Sequence, residues 1–247
     1  MSSTPPLPPI DRSAFFFDFD GTLVDLAATP EGVTVSPSVV PLLTRLQALS
    51  GGALAVVSGR PLAALDAFLH PLVFAAAGSH GAERREPNGA VSRIGHGDAR
   101  LAAMHTQLEG TVAAHEGLLL ERKDVALAVH YRLAPTLGDV VRAAAEAAVA
   151  PYADTFTLQP GKMVVEIKPS GVDKGRAIDA FMAQAPFAGR TAVFLGDDLT
   201  DEKGFAVVNR LGGMSVKVGE GETLAPYRLA TVTACIEWIE SLVASAG

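Results

Sequence analysis

The tightest constraint on this chain is the run Phe15-Phe16-Phe17-Asp18-Phe19-Asp20-Gly21-Thr22-Leu23. Three successive aromatic residues leave no polar face, so the run reads as a strand covered on both sides, as parallel strands in α/β sheets are. Side chains two apart on an extended chain point the same way, so Asp18 and Asp20 converge on one spot. That spot lies at the strand's carboxyl end, where open α/β sheets place their ligands. Two hard oxygen donors there suit Mg²⁺, which takes few carboxylates and completes its shell with phosphate and water. Gly21 permits a turn that most residues resist, after which the Thr22 hydroxyl and the following amides can face an anion. Asp and Gly also serve as plain turn formers. The tripeptide D-x-D alone therefore does not decide, but the whole string, an apolar strand followed by D-x-D-G-T-L, favours chemistry.

The 247 residues suffice for one large domain or a core plus an insertion. With 49% hydrophobic and 19% charged residues the chain is globular rather than disordered. A formal net charge of -7 argues against nucleic-acid binding. The single cysteine, Cys235, excludes an intrachain disulfide, and its neighbours Ile236, Trp238 and Ile239 place it in a buried, unreactive position. Residues 1–12 begin with a proline-rich stretch that reads as a loose tail and not as a signal peptide. No apolar run approaches a membrane span. The expectation is a cytoplasmic protein, monomeric by default, with neither membrane nor nucleic acid as partner.

Along the chain, 36–49 reads as a helix with Ser36 as cap and Pro37 in its first turn. Residues 53–57 form a second buried strand ending at Ser58-Gly59-Arg60-Pro61, a small hydroxyl and a glycine just ahead of a helix (61–69) that offers an anion site. A third strand (72–77) leads to Gly78-Ser79-His80-Gly81-Ala82-Glu83. There His80 is either a core histidine or, between two glycines at a strand end, a site-facing one. Residues 84–93 read as a hairpin around Asn88-Gly89.

The pattern then changes. From about Asp98 to Lys168 the order is helix, two strands, helix, two strands, with connections short enough to require antiparallel pairing. The fold expected is α/β: a doubly wound, Rossmann-like parallel-sheet core (13–97 and 168–247) with an inserted α+β unit (98–167). In the insertion Val125, Leu127, Val129 and Tyr131 share one face with Met163, Val165 and Ile167, while Ala126, Ala128, His130, Arg132, Lys162, Val164 and Glu166 share the other. The mixed-charge face is either a solvated surface or a clamp for sugar hydroxyls, to which carboxylates offer acceptors and ammonium groups donors. The core resumes at Lys174, which opens a helix (about 176–184), the wrong end for a cation unless an anion lies beyond it. Residues 191–195 are the next buried strand, ending in Gly196-Asp197-Asp198-Leu199-Thr200-Asp201-Glu202, four acids in six that need a cation nearby. Residues 206–209 and 214–218 are expected to complete the sheet, and 223–238 to supply a closing helical region.

The order D-x-D, S-G-R, insertion, K-G, G-D-D-x-x-D resembles the haloacid dehalogenase (HAD) superfamily of phosphohydrolases, over nearly all of the chain beyond the tail. An insertion between the second and third motifs is what that family calls a type 2 cap. Gly78-Ser79-His80-Gly81-Ala82-Glu83, Glu121-x-Lys123, His130-Tyr131-Arg132, Gly161-Lys162 to Glu166 and Gly196 to Glu202 resemble the trehalose-6-phosphate phosphatases more narrowly, with Ser79 a departure where a larger apolar residue is expected. The resemblance implies Asp18 as nucleophile and Asp20 as general acid/base. Ser58 and Lys174 would stabilise the transferring group, with Gly59, Arg60 and His80 around the substrate. Mg²⁺ would be held by Asp18, the Asp20 carbonyl and Asp197, and Asp201 would hold a metal-bound water or orient Lys174. Glu121, Lys123 and Glu166, with Arg132 and Lys162, would grip the sugar. The implied activity is hydrolysis of trehalose 6-phosphate through an aspartyl-phosphate. The alternatives are another capped sugar phosphatase, acting on sucrose phosphate or a mannosyl phosphate, a phosphomannomutase-like enzyme, and a non-enzymatic phospho-acceptor or sugar-phosphate-binding module.

Overall fold

A computed structural model describes residues 4–27, 29 and 32–245. The chain divides into two compact units, one running to Ser92 and resuming at Asp173, the other Arg93–Val172.

The first unit is built on an eight-stranded sheet. Its strands are β1 (Ser13–Phe17), β2 (Leu54–Val57), β3 (Ala75–Gly78), β4 (Glu83–Arg85), β5 (Val91–Arg93), β10 (Thr191–Gly196), β11 (Met214–Val218) and β12 (Tyr227–Leu229), in the order β12-β11-β10-β1-β2-β3-β4-β5. From β12 to β3 every pairing is parallel, and β4 turns back antiparallel on β3. Because β1 has β2 on one side and β10 on the other, the connections leave it in opposite directions. Its carboxyl end is therefore the topological switch point, where side chains from three strands open into a crevice.

Alternation along β1 divides the interior. Phe15 and Phe17 join one core with α1 (Val39–Leu49), α2 (Leu62–Leu69) and α7 (Val232–Ala244). Ala14 and Phe16 join a second with α5 (Lys174–Met182) and α6 (Glu202–Arg210). Phe16 lies with its ring centroid 5.4 Å from that of Phe187 and 6.2 Å from that of Phe181. Pairing with β2 and β10 leaves β1 no exposed edge, and burial on both faces makes it a rigid mount for the residues that follow.

The second unit holds α3 (Ala99–Ala113), β6 (Leu119–Arg122), β7 (Leu127–His130), α4 (Gly138–Val149), β8 (Phe156–Gly161) and β9 (Val164–Pro169). Its sheet runs β6-β7-β9-β8, antiparallel throughout. Leu127, Val129, Val165 and Ile167 pack with Leu101, Met104 and Leu108 of α3 and Val141 and Ala145 of α4, so the apolar face is the one the alternation assigns. No helix among the described residues is long and apolar enough to cross a membrane.

Several local expectations need correction. Residues 4–12 are not a loose tail: Pro5 and Ile10 are buried, and Trp238 Nε1 donates to the Pro5 carbonyl at 3.1 Å. Residues 1–3 of that expectation lie outside the described residues. Helix α1 starts at Val39, because Ser36 and Pro37 form the turn before it, with the Val39 amide donating to Ser36 O at 3.0 Å. Strand β3 starts at Ala75, since the Gln47 side chain donates to Val73 O and takes the acceptor a ladder needs. Residues 206–209 are helical within α6, where Phe205 and Val208 show the three-residue spacing of a helix face. A short apolar run cannot by itself separate the two periods. Residues 227–229 are the edge strand β12 rather than helix, and α7 begins only after Thr231 caps it, accepting from the Ala234 amide. Met163 leaves the row of Val165 and Ile167: it sits in the β8–β9 turn at φ 61° and is 41% exposed.

Candidate active site

Three loops at the carboxyl ends of adjacent strands carry the first unit's polar residues. Asp18 follows β1, Ser58 follows β2 and Asp197 follows β10. Asp18 is buried and its amide is fixed by Leu195 O of β10 at 2.9 Å. Lys174, the first residue of α5, projects into the same place. Its Nζ lies 2.9 Å from Asp18 Oδ1 and 2.6 Å from Asp201 Oδ1. A cation at a helix N-terminus opposes the helix dipole, and these two carboxylates offset that. Burial alone would lower the Lys174 ammonium, but Asp18 and Asp201 outweigh it and hold the lysine above its ordinary value. Asp18 is pushed well above the usual carboxylate range, first by burial and then by Asp201 and Asp197, with Lys174 opposing.

Asp18, Asp197 and Asp201 bring one carboxylate oxygen each within 4.8 Å of one another, all three residues buried. Such a set of hard oxygen donors could hold a metal ion, and a hard divalent cation fits it. Gly21 supports that fit. It has φ +76°, and a Cβ there would run into the Asp197 carboxylate. The glycine thus lets the β1 loop approach within ligating range of the β10 loop. The three acids do not play equal parts. Asp201 Oδ1 receives Lys174, and Oδ2 receives the amides of Asp197 at 3.0 Å and Asp198 at 2.9 Å. Asp201 therefore orients the loop and the lysine. Of the other acids in this stretch, Asp198 caps the following turn and Glu202 accepts from the Leu224 amide, so only two of the four turn inward.

The Asp20 carboxylate does not join the cluster. Arg60 grips both of its oxygens, Nε to Oδ2 at 2.7 Å and Nη2 to Oδ1 at 2.8 Å. The guanidinium is steadied by the Phe68 and Phe19 rings, 4.8 and 5.4 Å away. The Arg60 amide donates to Ser58 Oγ at 3.1 Å. His80 packs its ring on Gly59, where a Cβ would come within 2.8 Å of it, and its amide donates to Ser58 O at 2.9 Å. Ser79 and His80 both take left-handed backbone angles, φ 47° and 56°. Such strain persists only where surroundings impose it, and here the amides of both residues are held by the 58–60 loop. Thr22 is fully buried, and its hydroxyl makes no hydrogen bond to the described protein.

In the second unit the sheet's polar face gathers Glu121, Lys123 and Glu166. Glu121 pairs across Ala128 with Glu166 in one row of the sheet. Lys123 Nζ is ion-paired with Glu166, and His130 Nε2 meets Glu121 Oε2 at 2.8 Å. Burial would raise the Glu121 carboxyl, but the His130 hydrogen bond and the Lys123 charge prevail and hold it below its ordinary value. Arg132 Nη2 donates to the Lys162 carbonyl at 3.1 Å, which joins the end of β7 to the β8–β9 turn.

The family model described as trehalose-phosphatase matches residues 16–233, from the middle of β1 into α7. This chain belongs to the trehalose-phosphatase family. It is 48% identical to the trehalose-6-phosphate phosphatase of Escherichia coli (strain K12) over 231 residues, 94% of this chain and 86% of that protein. It is 45% identical to a probable trehalose-phosphate phosphatase of Sinorhizobium fredii, over 85% of this chain and 79% of that one. Among solved structures, a trehalose-6-phosphate phosphatase related protein superposes with a TM-score of 0.78 at 28% identity, covering 94% of this chain and 96% of the other. The C-terminal domain of the C. albicans trehalose-6-phosphate phosphatase shares the fold, with a TM-score of 0.83 at 22% identity over 99% and 98%.

Two residues of this trehalose-phosphatase family member escape a reading of the sequence alone. Gly21 reads there as a turn former, whereas in the structure a Cβ at this position would strike the Asp197 carboxylate. Lys217, in β11, is buried and its Nζ donates to the main-chain carbonyl of Asp197. Its signal was present: a lysine inside Met214-Ser215-Val216-Lys217-Val218, a strand otherwise fit for burial, requires a partner.

Proposed function

We propose that this chain hydrolyses trehalose 6-phosphate to trehalose and inorganic phosphate, with Asp18 as nucleophile. The observation that carries the mechanism is the buried group of Asp18, Lys174, Asp201 and Asp197 at the switch point, three carboxylates with one ammonium among them. Mg²⁺, bound by Asp18, the Asp20 main-chain carbonyl and Asp197, would supply neutralisation of phosphate charge.

The remaining chemistry belongs to the chain's own side chains. A carboxylate oxygen of Asp18 attacks phosphorus as the bond from phosphorus to the sugar oxygen breaks, leaving an aspartyl-phosphate. Asp20 gives a proton to the departing sugar oxygen. It then takes one from the water whose oxygen attacks phosphorus, releasing phosphate and restoring the Asp18 carboxylate. Arg60 occupies both Asp20 oxygens. Proton transfer therefore requires Arg60 to move off at least one of them, and the substrate phosphate is the anion that competes for it. Lys174 and the Ser58 hydroxyl stabilise charge on the transferring group, and His80 with Gly59 holds the Ser58 loop in shape.

Sugar recognition falls to the inserted unit, serving as a cap. Glu121, Lys123 and Glu166 offer acceptors and a donor to sugar hydroxyls, with Arg132 and Lys162 beside them. The family membership and the pre-assembled Lys123–Glu166 and His130–Glu121 pairs support that assignment. The test is phosphate release from trehalose 6-phosphate, sucrose 6-phosphate, glucose 6-phosphate and mannose 6-phosphate, with and without Mg²⁺. Mg²⁺-dependent preference for trehalose 6-phosphate is the expected result. Preference for another member removes the cap assignment and keeps the core chemistry, and activity undiminished by chelation removes the metal.

A further inference from the structure

We infer that Lys217 is a positioning residue that sets the ion selectivity of the carboxylate cluster by fixing the Asp197 peptide; the inference rests on the metal reading given above. β11 is buried along its whole length, and Lys217 is 4% exposed. It stands opposite Gly196 in the β10–β11 register, one residue before Asp197. Its Nζ donates to the Asp197 main-chain carbonyl. On the other side of the same residue, the Asp197 amide donates to Asp201 Oδ2 at 3.0 Å, and the Asp198 amide does the same at 2.9 Å. The approach of Asp201 is possible because residue 196 is glycine: a Cβ there would strike the Asp201 carboxylate. The Asp197 backbone is thus held at its N–H by Asp201 and at its C=O by Lys217. These three bonds hold the backbone that carries the Asp197 carboxylate.

The consequence concerns which cation the site prefers. Mg²⁺ requires near-ideal octahedral geometry at about 2.0–2.1 Å, whereas Ca²⁺ accepts six to eight oxygens at about 2.3–2.6 Å in flexible arrangements. A carboxylate on a clamped backbone favours the small ion, and one on a loosened backbone yields to the larger. A buried ammonium near the site also acts through its charge, but charge acts alike on two divalent ions. The ratio of their affinities therefore isolates geometry from charge.

The experiment measures dissociation constants for Mg²⁺ and Ca²⁺ in the full chain by displacement of Mn²⁺, followed by electron paramagnetic resonance of free Mn²⁺. In Lys217→Met, which keeps an unbranched apolar stem but not the donor, Mg²⁺ affinity is expected to fall at least about tenfold, the usual scale for loss of an outer-shell partner, and Ca²⁺ affinity to fall less, so that the ratio Kd(Mg²⁺)/Kd(Ca²⁺) rises. Lys217→Arg, which keeps a donor, is expected to stay near wild type. Lys217→Gln, whose neutral amide falls one bond short, is expected to shift the ratio the same way and serves where the Met variant does not fold. Ser215→Ala is the control for strand damage: Ser215 lies in β11 and bonds Asn209 Oδ1 at 2.6 Å, away from the Asp197 loop, and its ratio should not move. Equal shifts for both ions, or none, in the Met and Gln variants overturn the positioning role. A wild-type chain that binds neither ion removes the metal reading itself, and this inference with it.

Discussion

Replacing Gly21 with alanine separates two things that glycine does at once. At φ +76° an alanine pays a left-handed backbone penalty of about 1–2 kcal/mol. For a chain of this size each kcal/mol moves the melting temperature by about 2–4 °C, so a loss of about 2–8 °C is expected. The second effect is steric and local. The new Cβ would strike the Asp197 carboxylate, so that side chain must rotate away on its fixed backbone and lose its place in the cluster. Displacing a reacting or ligating group by about 1 Å costs on the order of 10²-fold in rate. Gly21→Ala should therefore remain folded, a few degrees less stable, yet lose at least two orders of magnitude in Mg²⁺-supported phosphate release. Gly21→Asn sharpens the test. Asparagine tolerates the left-handed region better than alanine, so it should recover stability, but it carries the same Cβ and should recover no activity. The assays are thermal unfolding by circular dichroism and phosphate release across a Mg²⁺ titration. Near-wild-type turnover in a folded Gly21→Ala chain, or activity that returns with stability in Gly21→Asn, would refute the close approach of the two loops.

Three further outcomes are expected. Asp18→Asn should abolish turnover while urea unfolding in metal-free buffer shows no loss of stability, because a neutral amide relieves the repulsion from Asp201 and Asp197 that raises Asp18; residual wild-type activity would remove Asp18 as nucleophile. Glu166→Ala should depress kcat/KM for trehalose 6-phosphate far more than for p-nitrophenyl phosphate, and equal losses on both would end the clamp assignment. Burial pushes the Cys235 thiol up to about 12, above the ordinary value of about 8.5. The folded value is the higher one, so its stabilisation is complete below about pH 8.5 and is lost as pH rises toward the folded value, at about 1.4 kcal/mol per pH unit. Urea unfolding from about pH 9 upward should show this slope and Cys235→Ala should lack it, and a thiol that reacts with Ellman's reagent at pH 8 before unfolding would contradict its burial.

What the sequence determined by itself are features written in local patterns. Three phenylalanines in a row can be satisfied only by cover on both faces, and the i, i+2 spacing of Asp18 and Asp20 places them at one strand end. The insertion's strands show their apolar face through alternation. Where local signals compete, the reading fails: the apolar stretch 206–209 suits a strand as well as a helix, and only packing of Phe205 and Val208 against Phe194 and Ile178 selects the helix. The tertiary structure alone decided the partnerships. Arg60 takes both Asp20 oxygens from 40 positions away, and Lys174 stands between Asp18 and Asp201. Asp201 spends its carboxylate on amides and lysine rather than facing outward like Asp198, and Lys217 reaches back to Asp197. These follow from strand order, with β10 and β2 flanking β1 and β11 beyond β10. That order is fixed by long-range packing, which no window of the sequence contains.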